Sequence, residues 1–464
     1  MTEPKTAMPQ TDAFDVLVIG AGPAGLAAAR AAASHGAQVA LVDLQARAGG
    51  QVWRPDLRRG IAPGLRRALS ALDEVAPIRW YLAAQAFAAD ANRIWIEQEP
   101  GASGEGLLEL RYRNLILASG ARELLLPFPG WTLPGASGAG ALQALAKQGW
   151  PIGGRRVLVA GSGPLLLAAA ATLRAHGAQL LAICEQAPAA AVRGFAARLW
   201  RWPGKLAQAA ALRARLVGVP YRCGAWVRAA HADGASIEVE IETARGVERI
   251  ACDRLAVGYG LVPNLELARQ LGCALAPQGR HAGVRVDARQ ATSVAGVYAA
   301  GEACGIGGVE VARIEGAIAG HHAAGADDAA RALYPRRQRA RAFAELLPRH
   351  FALRDEVRAC ATADTLVCRC EDVPLARLQG WADARAAKLA TRCGMGSCQG
   401  RICGAALAEL NLFPASSDSV IGASLMRPPL FPTRLAGLAL AGFSPADASA
   451  SVASSSIASQ GSTS

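Results

Sequence analysis

The sequence predicts an α/β fold in which two similar βαβ units, one inserted into the other, are followed by a small helical, cysteine-rich C-terminal module. Three observations predict it. Residues 15–43 (DVLVIGAGPAGLAAARAAASHGAQVALVD) and 156–185 (RVLVAGSGPLLLAAAATLRAHGAQLLAICE) share one layout, a strand end carrying Gly301-Glu302 returns far downstream, and cysteines crowd together between Cys368 and Cys403. With 464 residues there is room for about three domains of roughly 150 residues, each able to bury a core. The 50 glycines against 5% aromatics suit a fold rich in tight strand-to-helix turns.

Each βαβ copy opens on a β-branched run (16–19 and 157–159) and passes through a Gly-x-Gly turn. It continues as an Ala/Leu-rich helix closed by His-Gly, and a second strand then ends on an acid. In the first copy Gly20, Gly22 and Gly25 complete G-x-G-x-x-G. Gly20 permits the tight turn, Gly22 lets backbone approach a pyrophosphate, and Gly25 lets the helix pack closely on the strand. The helix N-terminus offers free N–H groups to the phosphates, and Asp43 is placed to accept the hydroxyls of an adenosine ribose. Strand, helix and acid together favour a dinucleotide over an ordinary glycine-rich turn. Gly50 and Gln51 follow in a pliable turn that would run beside the bound group.

Residues 292–302 (TSVAGVYAAGE) resemble the second FAD fingerprint of the pyridine-nucleotide-disulfide-reductase superfamily, in which a strand delivers an acid to the ribityl chain of the flavin. Gly301 and Glu302 occupy those places, with Glu where Asp is usual. The pair of fingerprints assigns FAD to the first unit and makes both units Rossmann-like dinucleotide-binding folds, an FAD domain with an inserted NAD-like domain. A helix starting near Val309 would aim a further N-terminus at the flavin. The second copy keeps Gly161 and Gly163 as a candidate second nucleotide site and ends on Glu185, which suits a 2′-hydroxyl. Leu166 holds the third glycine position and should push the helix off the strand. Two readings stay open there: NAD(H) or another nucleotide is bound, or the duplicated fold is kept for packing. Residues 253–264 (DRLAVGYGLVPN) resemble the strand that returns the chain to the first unit.

Redox cysteine pairs at the flavin face are not expected. Gly50 is followed by Gln-Val-Trp-Arg, and Cys184, Cys223, Cys252 and Cys273 stand alone, reading as small buried apolar residues. Cys304, near Glu302, reads as structural too. The cysteines gather instead as Cys368-Arg-Cys370-Glu and as Cys393-Gly-Met-Gly-Ser-Cys398-Gln-Gly-Arg-Ile-Cys403. Two loops thereby offer enough thiolates for a [2Fe-2S] cluster, and Gly394, Gly396 and Gly400 supply permissive backbone around it. Zinc would accept four thiolates as well. Five cysteines compete for four places.

Arg122-Glu123-Leu124 and the run Pro127-Phe128-Pro129-Gly130-Trp131-Thr132-Leu133-Pro134-Gly135 join the Cys-Arg-Cys-Glu run in one pattern, completed by Thr391-Arg392-x-Gly394-Met395-Gly396-x-Cys398-Gln399-Gly400-Arg401-x-Cys403. This pattern resembles the larger flavoprotein subunit of opine oxidases, hydrogen cyanide synthase and bacterial hydroxyproline dehydrogenases, over residues 15–435. The resemblance implies FAD and a [2Fe-2S] cluster, the cluster on Cys368, Cys370, Cys398 and Cys403 with Cys393 spare. It also implies a smaller FAD-dependent partner subunit that oxidises a C–N bond of an amino acid, D-hydroxyproline or an opine, and leaves room for one further small subunit. Electrons would then pass through this chain to a quinone or other acceptor. The sequence offers no evident general base or nucleophile, which agrees with a relay. The rival readings are a stand-alone NAD(P)H-dependent flavin/iron-sulfur reductase fed by the second fold, and a non-enzymatic metal-binding interaction protein.

The expected organisation is an FAD domain split between 15–149 and 283–330, the inserted NAD-like domain at 150–282, an arginine-rich connector at 331–362 and the cysteine module at 363–412. A proline-stiffened strap at 413–443 and a disordered Ser/Ala-rich tail at 444–464 complete it. The 49 Lys+Arg outnumber the 37 Asp+Glu, and the excess, mostly arginine, reads as solvated surface. Its denser groups, 54–67 and 336–341, could meet phosphates, an acidic partner or an anionic membrane face. With no aromatic platform or DNA-reading motif, nucleic acid is not an expected partner. Residues 1–14 lack an apolar export segment, and the most apolar stretch, 157–173, is broken by Gly161-Ser162-Gly163-Pro164. A cytoplasmic protein without a membrane span is therefore expected, with peripheral contact at the inner membrane face as the limit. Eleven cysteines in that compartment read as thiols or ligands rather than disulfides.

Overall fold

Strand Thr11–Ile19 runs through the centre of the first sheet because Val16, Leu17 and Val18 are fully buried, as a parallel strand covered on both faces requires. The computed structural model describes residues 11–98, 106–413 and 428–441; the expected tail and residues 414–427 of the strap lie outside them. The sheet order is Ile78–Tyr81, Val39–Val42, Thr11–Ile19, Leu107–Leu117, Arg93–Gln98, Ala84–Asp90. Val297–Ala299 adds itself in parallel to the far side of Leu107–Leu117. The registers align Ile19 with Leu117 and Leu117 with Ala299. Gly20 and Gly301, 281 positions apart in sequence, therefore emerge near the same carboxyl edge of one sheet, where open α/β sheets bind their ligands.

Helices Pro23–Ala33 and Gly308–Ala323 pack directly on each other. A Cβ added at Gly316 would collide with the Ala24 carbonyl oxygen, and one at Gly320 with that of Ala28. Both obstacles are backbone, so neither can swing aside. Gly316→Ala or Gly320→Ala is expected to destabilise the fold by about 1–3 kcal/mol, the range for overpacking, as a lowered urea midpoint at unchanged slope.

The second sheet is all parallel, in the order Tyr221–Cys223, Gln179–Glu185, Arg156–Gly161, Arg254–Gly258, Ala136–Gly138. It thus takes in residues ahead of the boundary expected at 149/150, because a three-residue Ala-Ser-Gly strand carries no β-branched signal. Leu166 is fully buried, packed with Val157, Val159, Ala139 and Leu142. The expected displacement by Leu166 is met by Gly258, a bare position on the neighbouring strand whose Cβ would be 3.6 Å from a Leu166 methyl. An antiparallel meander of Trp226–Asp233, Ser236–Thr243 and Gly246–Cys252 completes this unit. Leu261–Pro263 pairs with Ala121–Glu123 and leads the chain back. Leu265, Leu267, Ala268 and Cys273 already belong to the first unit's core, so the return precedes residue 283.

The connector is less of a solvated surface than its arginines suggest. Arg337 is buried and donates to the Ala288 carbonyl and to Gln290 Oε1, while Arg341 pairs with Glu315 at 2.6 Å. Beyond it, short strands Leu366–Cys368 and Val373–Pro374 and helices Ala384–Thr391 and Cys403–Leu410 enclose a small core of Val367, Val373, Leu378, Ala387 and Leu407. Leu430 of the strap is buried in the first unit, where its N–H donates to the Phe87 carbonyl at 2.7 Å. Among the described residues no helix is long and apolar enough to cross a membrane.

Candidate functional site

The first turn is built by close backbone approaches. Gly20 has φ +106°, and a Cβ there would strike the Ala118 carbonyl of the neighbouring strand. A Cβ at Gly25 would collide with the Gly20 carbonyl oxygen, so the helix can lie on this strand only with glycine. Gly22 differs from both. Its φ of −78° suits any residue, and the nearest atom to a Cβ there would be the Gly50 Cα at 3.9 Å. Glycine there leaves open space above the N-terminus of helix Pro23–Ala33, the room a pyrophosphate needs. The Gly49-Gly50 loop closes the other side, with the Gly49 N–H donating to the Ala21 carbonyl at 2.9 Å.

Asp43 is buried at the end of its strand. Its two oxygens accept the Ala21 N–H at 2.6 Å and the Gln45 N–H at 2.7 Å, and burial pushes its carboxyl pKa up against those hydrogen bonds. Beside it opens a cavity of about 310 Å³ lined by Gln45, Arg47, Gly50, Arg54 and Leu57. Gln51 is exposed at its rim and accepts from Arg54 at 2.9 Å. Across the sheet edge, Glu302 follows Gly301 in a short helical turn, its carboxyl raised by burial and held by the Gly308 N–H. Sequence reasoning missed Glu315, which is buried behind this turn, accepts the Gly301 N–H at 3.1 Å and pairs with Arg341. The available signal was an acid on the inner face of a helix otherwise lined by Val311, Ile314 and Ile318.

The second turn repeats the first and is then covered. Glu185 is fully buried, accepting the Gly163 N–H at 2.7 Å and the Ala187 N–H at 2.9 Å, and burial pushes its pKa up to about 7. A Cβ at Gly161 would strike the Gly258 carbonyl. Over this turn lies Phe351 of the connector, its ring 3.8 Å from where a Gly163 Cβ would sit. Ser162 Oγ donates to the Phe351 carbonyl at 2.9 Å, and Gln186 Nε2 donates to Ser162 Oγ at 2.9 Å and to the Ala352 carbonyl at 3.0 Å. The Arg354 N–H returns a bond to Gln186 Oε1 at 3.2 Å, and the Phe351 ring stands edge-on to Phe195. Nothing in the local sequence around Gly161 announces a cover that arrives from nearly 190 residues downstream.

The late cysteines converge. The sulfurs of Cys368, Cys393 and Cys403, all buried, lie within 4.8 Å of one another. Cys398 touches both Cys403 and the exposed Cys370, and Cys403 touches Cys393; the Cys403 contact and burial push the Cys398 thiol up, and the Cys393 contact and burial push the Cys403 thiol up. Cys368, Cys403 and Cys393, the residue expected to be spare, thus form one buried inner trio, with Cys398 and the exposed Cys370 outside it. Arg392 and Gln399 both adopt left-handed backbone (φ +66° and +50°), bending residues 391–403 around the thiols. Thiols converging from two loops suit an iron–sulfur cluster or a zinc ion, and the cradle of Gly20, Gly22 and Gly25 with Asp43 suits a dinucleotide.

A first unit closed by two distant fingerprints on one sheet edge, with a second βαβ unit inserted, defines a class of flavoprotein. The chain belongs to the pyridine nucleotide-disulphide oxidoreductase family, which matches residues 14–324, and is an FAD-dependent oxidoreductase. It is 32% identical over 462 residues to the opine oxidase A-subunit of Rhizobium meliloti (strain 1021), covering 92% of this chain and 98% of that protein. It is 33% identical over 433 residues to hydrogen cyanide synthase subunit HcnB of Pseudomonas aeruginosa, covering 83% and 90%. Among solved structures the L-proline dehydrogenase of P. horikoshii shares the fold, with TM-score 0.62, 19% identity and coverage of 92% of this chain and 80% of that one.

Proposed function

We propose that this chain is the flavoprotein and iron–sulfur subunit of a heteromeric amino-acid dehydrogenase or oxidase. It relays electrons from C–N bond oxidation in a smaller FAD-containing partner to a quinone or other acceptor, on the cytoplasmic side of the membrane. The observation that carries this reading is the asymmetry of the two nucleotide turns. The first is open above Gly22, whereas the second is covered by Phe351 and tied shut through Ser162 and Gln186. With Phe351 over it, the second turn offers NADH no free place to bind.

In this reading the Gly20-Gly22-Gly25 turn holds the pyrophosphate, Asp43 the adenosine ribose, and Glu302 the ribityl chain, with Gly50 and Gln51 flanking. Cys368, Cys370, Cys398 and Cys403 hold a [2Fe-2S] cluster. Bound there, FAD would exchange electrons in pairs and the cluster one at a time. The names of the relatives, subunits of an opine oxidase and of hydrogen cyanide synthase, support an amino-acid-type substrate and a multi-subunit enzyme; D-hydroxyproline or an opine, oxidised in the partner subunit, is the substrate drawn from the sequence resemblance.

The test is an anaerobic absorbance titration of the purified chain with NADH and then NADPH. The flavin is expected to stay oxidised with either nucleotide and to bleach when the amino acid is added together with the partner subunit. Bleaching by stoichiometric nucleotide would make the chain a stand-alone reductase and overturn the relay.

A further inference from the structure

Arg122 and Arg401 connect the flavin unit to the cysteine module. Arg122 lies on strand Ala121–Glu123, just past the Ala118 carbonyl that abuts Gly20. Its Nε donates to the Arg401 carbonyl at 3.0 Å, and its Nη1 donates to Asn264 Oδ1 at 3.0 Å and to Glu266 Oε1 at 3.4 Å. Arg401 stands between Cys398 and Cys403 in sequence. Its Nη1 donates to the Cys398 carbonyl at 3.1 Å, its Nη2 to the Leu430 carbonyl at 2.6 Å, and its guanidinium lies 4.1 Å over the Phe431 ring. Glu266 Oε1 sits 3.1 Å from Arg401 Nε as an ion pair without an aligned hydrogen bond. Arg122 is also within electrostatic reach of the Cys398 sulfur, and Arg269 adds a third guanidinium near Glu266.

The side chains of Arg122, Arg401 and Glu266 are only 26%, 15% and 9% exposed, so solvent screens them weakly. Arg122 and Arg401 against the one carboxylate of Glu266 leave positive charge beside Cys398. Each electron added to a thiolate-bound cluster makes it more negative, and nearby positive charge stabilises that state.

We propose that Arg122 and Arg401, balanced by Glu266, form an electrostatic clamp that seats the cysteine module on the flavin unit and raises the reduction potential of the cluster held there. These are positioning residues, and the inference rests on the iron–sulfur reading above. The clamp predicts shifts of opposite sign: removing a cation lowers the potential, and neutralising the carboxylate raises it.

The test is an EPR-monitored redox titration of the full chain with dithionite. Arg122→Gln is expected to lower the midpoint and Glu266→Gln to raise it. Each should change the reduced-to-oxidised ratio at fixed potential about tenfold, or about 59 mV for a one-electron couple, while Arg122→Lys stays near the parent value. An intact signal with unmoved midpoints, or with both moved the same way, would overturn the clamp and leave the cluster standing. An iron-free parent protein with no signal on reduction would overturn the cluster and the clamp together. If Arg122→Gln fails to retain iron, the sign of the Glu266→Gln shift decides.

Discussion

Gly25→Val should yield a protein without flavin. The added Cβ meets the Gly20 carbonyl, a backbone atom fixed by the sheet, so the helix must lift and its N-terminal N–H groups leave the phosphate position. A loss of flavin affinity of at least a hundredfold is expected, about 3 kcal/mol, read by flavin content and fluorescence after gel filtration. Because a misplaced helix also weakens the fold, Gly22→Ala is the sharper companion. At Gly22 neither backbone geometry nor any neighbour demands glycine, so this variant should unfold at the urea midpoint of the flavin-free parent and still fail to hold FAD. A Gly22→Ala protein with full flavin would mean that the pyrophosphate runs elsewhere.

The second large effect concerns metal. Cys368→Ser and Cys403→Ser are each expected to reduce iron and acid-labile sulfide to near zero, because both thiols belong to the buried trio where the two loops meet. Cys393→Ser should keep its iron, since Cys368, Cys370, Cys398 and Cys403 all survive. Iron lost on Cys393→Ser and retained on Cys370→Ser would reassign the fourth ligand to Cys393, a change its burial beside Cys368 and Cys403 makes easy to detect. Stoichiometric zinc with no iron would replace the cluster by a structural site.

Much of the first unit was legible because its demands are local. Gly22, Gly25 and Asp43 each answer to a neighbour within about thirty residues, so spacing carries them, and Gly20, although it abuts the distant Ala118, is marked by its place in the same run. The second fingerprint was legible for the same reason, and the register that brings it beside Gly20 follows from parallel pairing. What escaped was long-range. Phe351 covers Gly163, Arg341 neutralises Glu315, and Arg122 grips Arg401 across segments whose separate compositions say nothing of their meeting. The arginine count read as solvated surface for that reason, although Arg337 and Arg122 are largely enclosed and make specific bonds. The edge strand at Ala136–Gly138 escaped because its residues have no strand preference and are held by pairing with Leu255 to Val257.

The cover over the second turn also ties two distant events together. Phe351 and Ala352 are held at that turn, and only a few residues later Val357 is buried in the inserted unit's core before the chain reaches Cys368. A molecule that pried Phe351 from Gly163 would slacken the tether leading into the cysteine module. Occupancy of the turn would thus cost the chain the bonds that hold residues 351 and 352 in place.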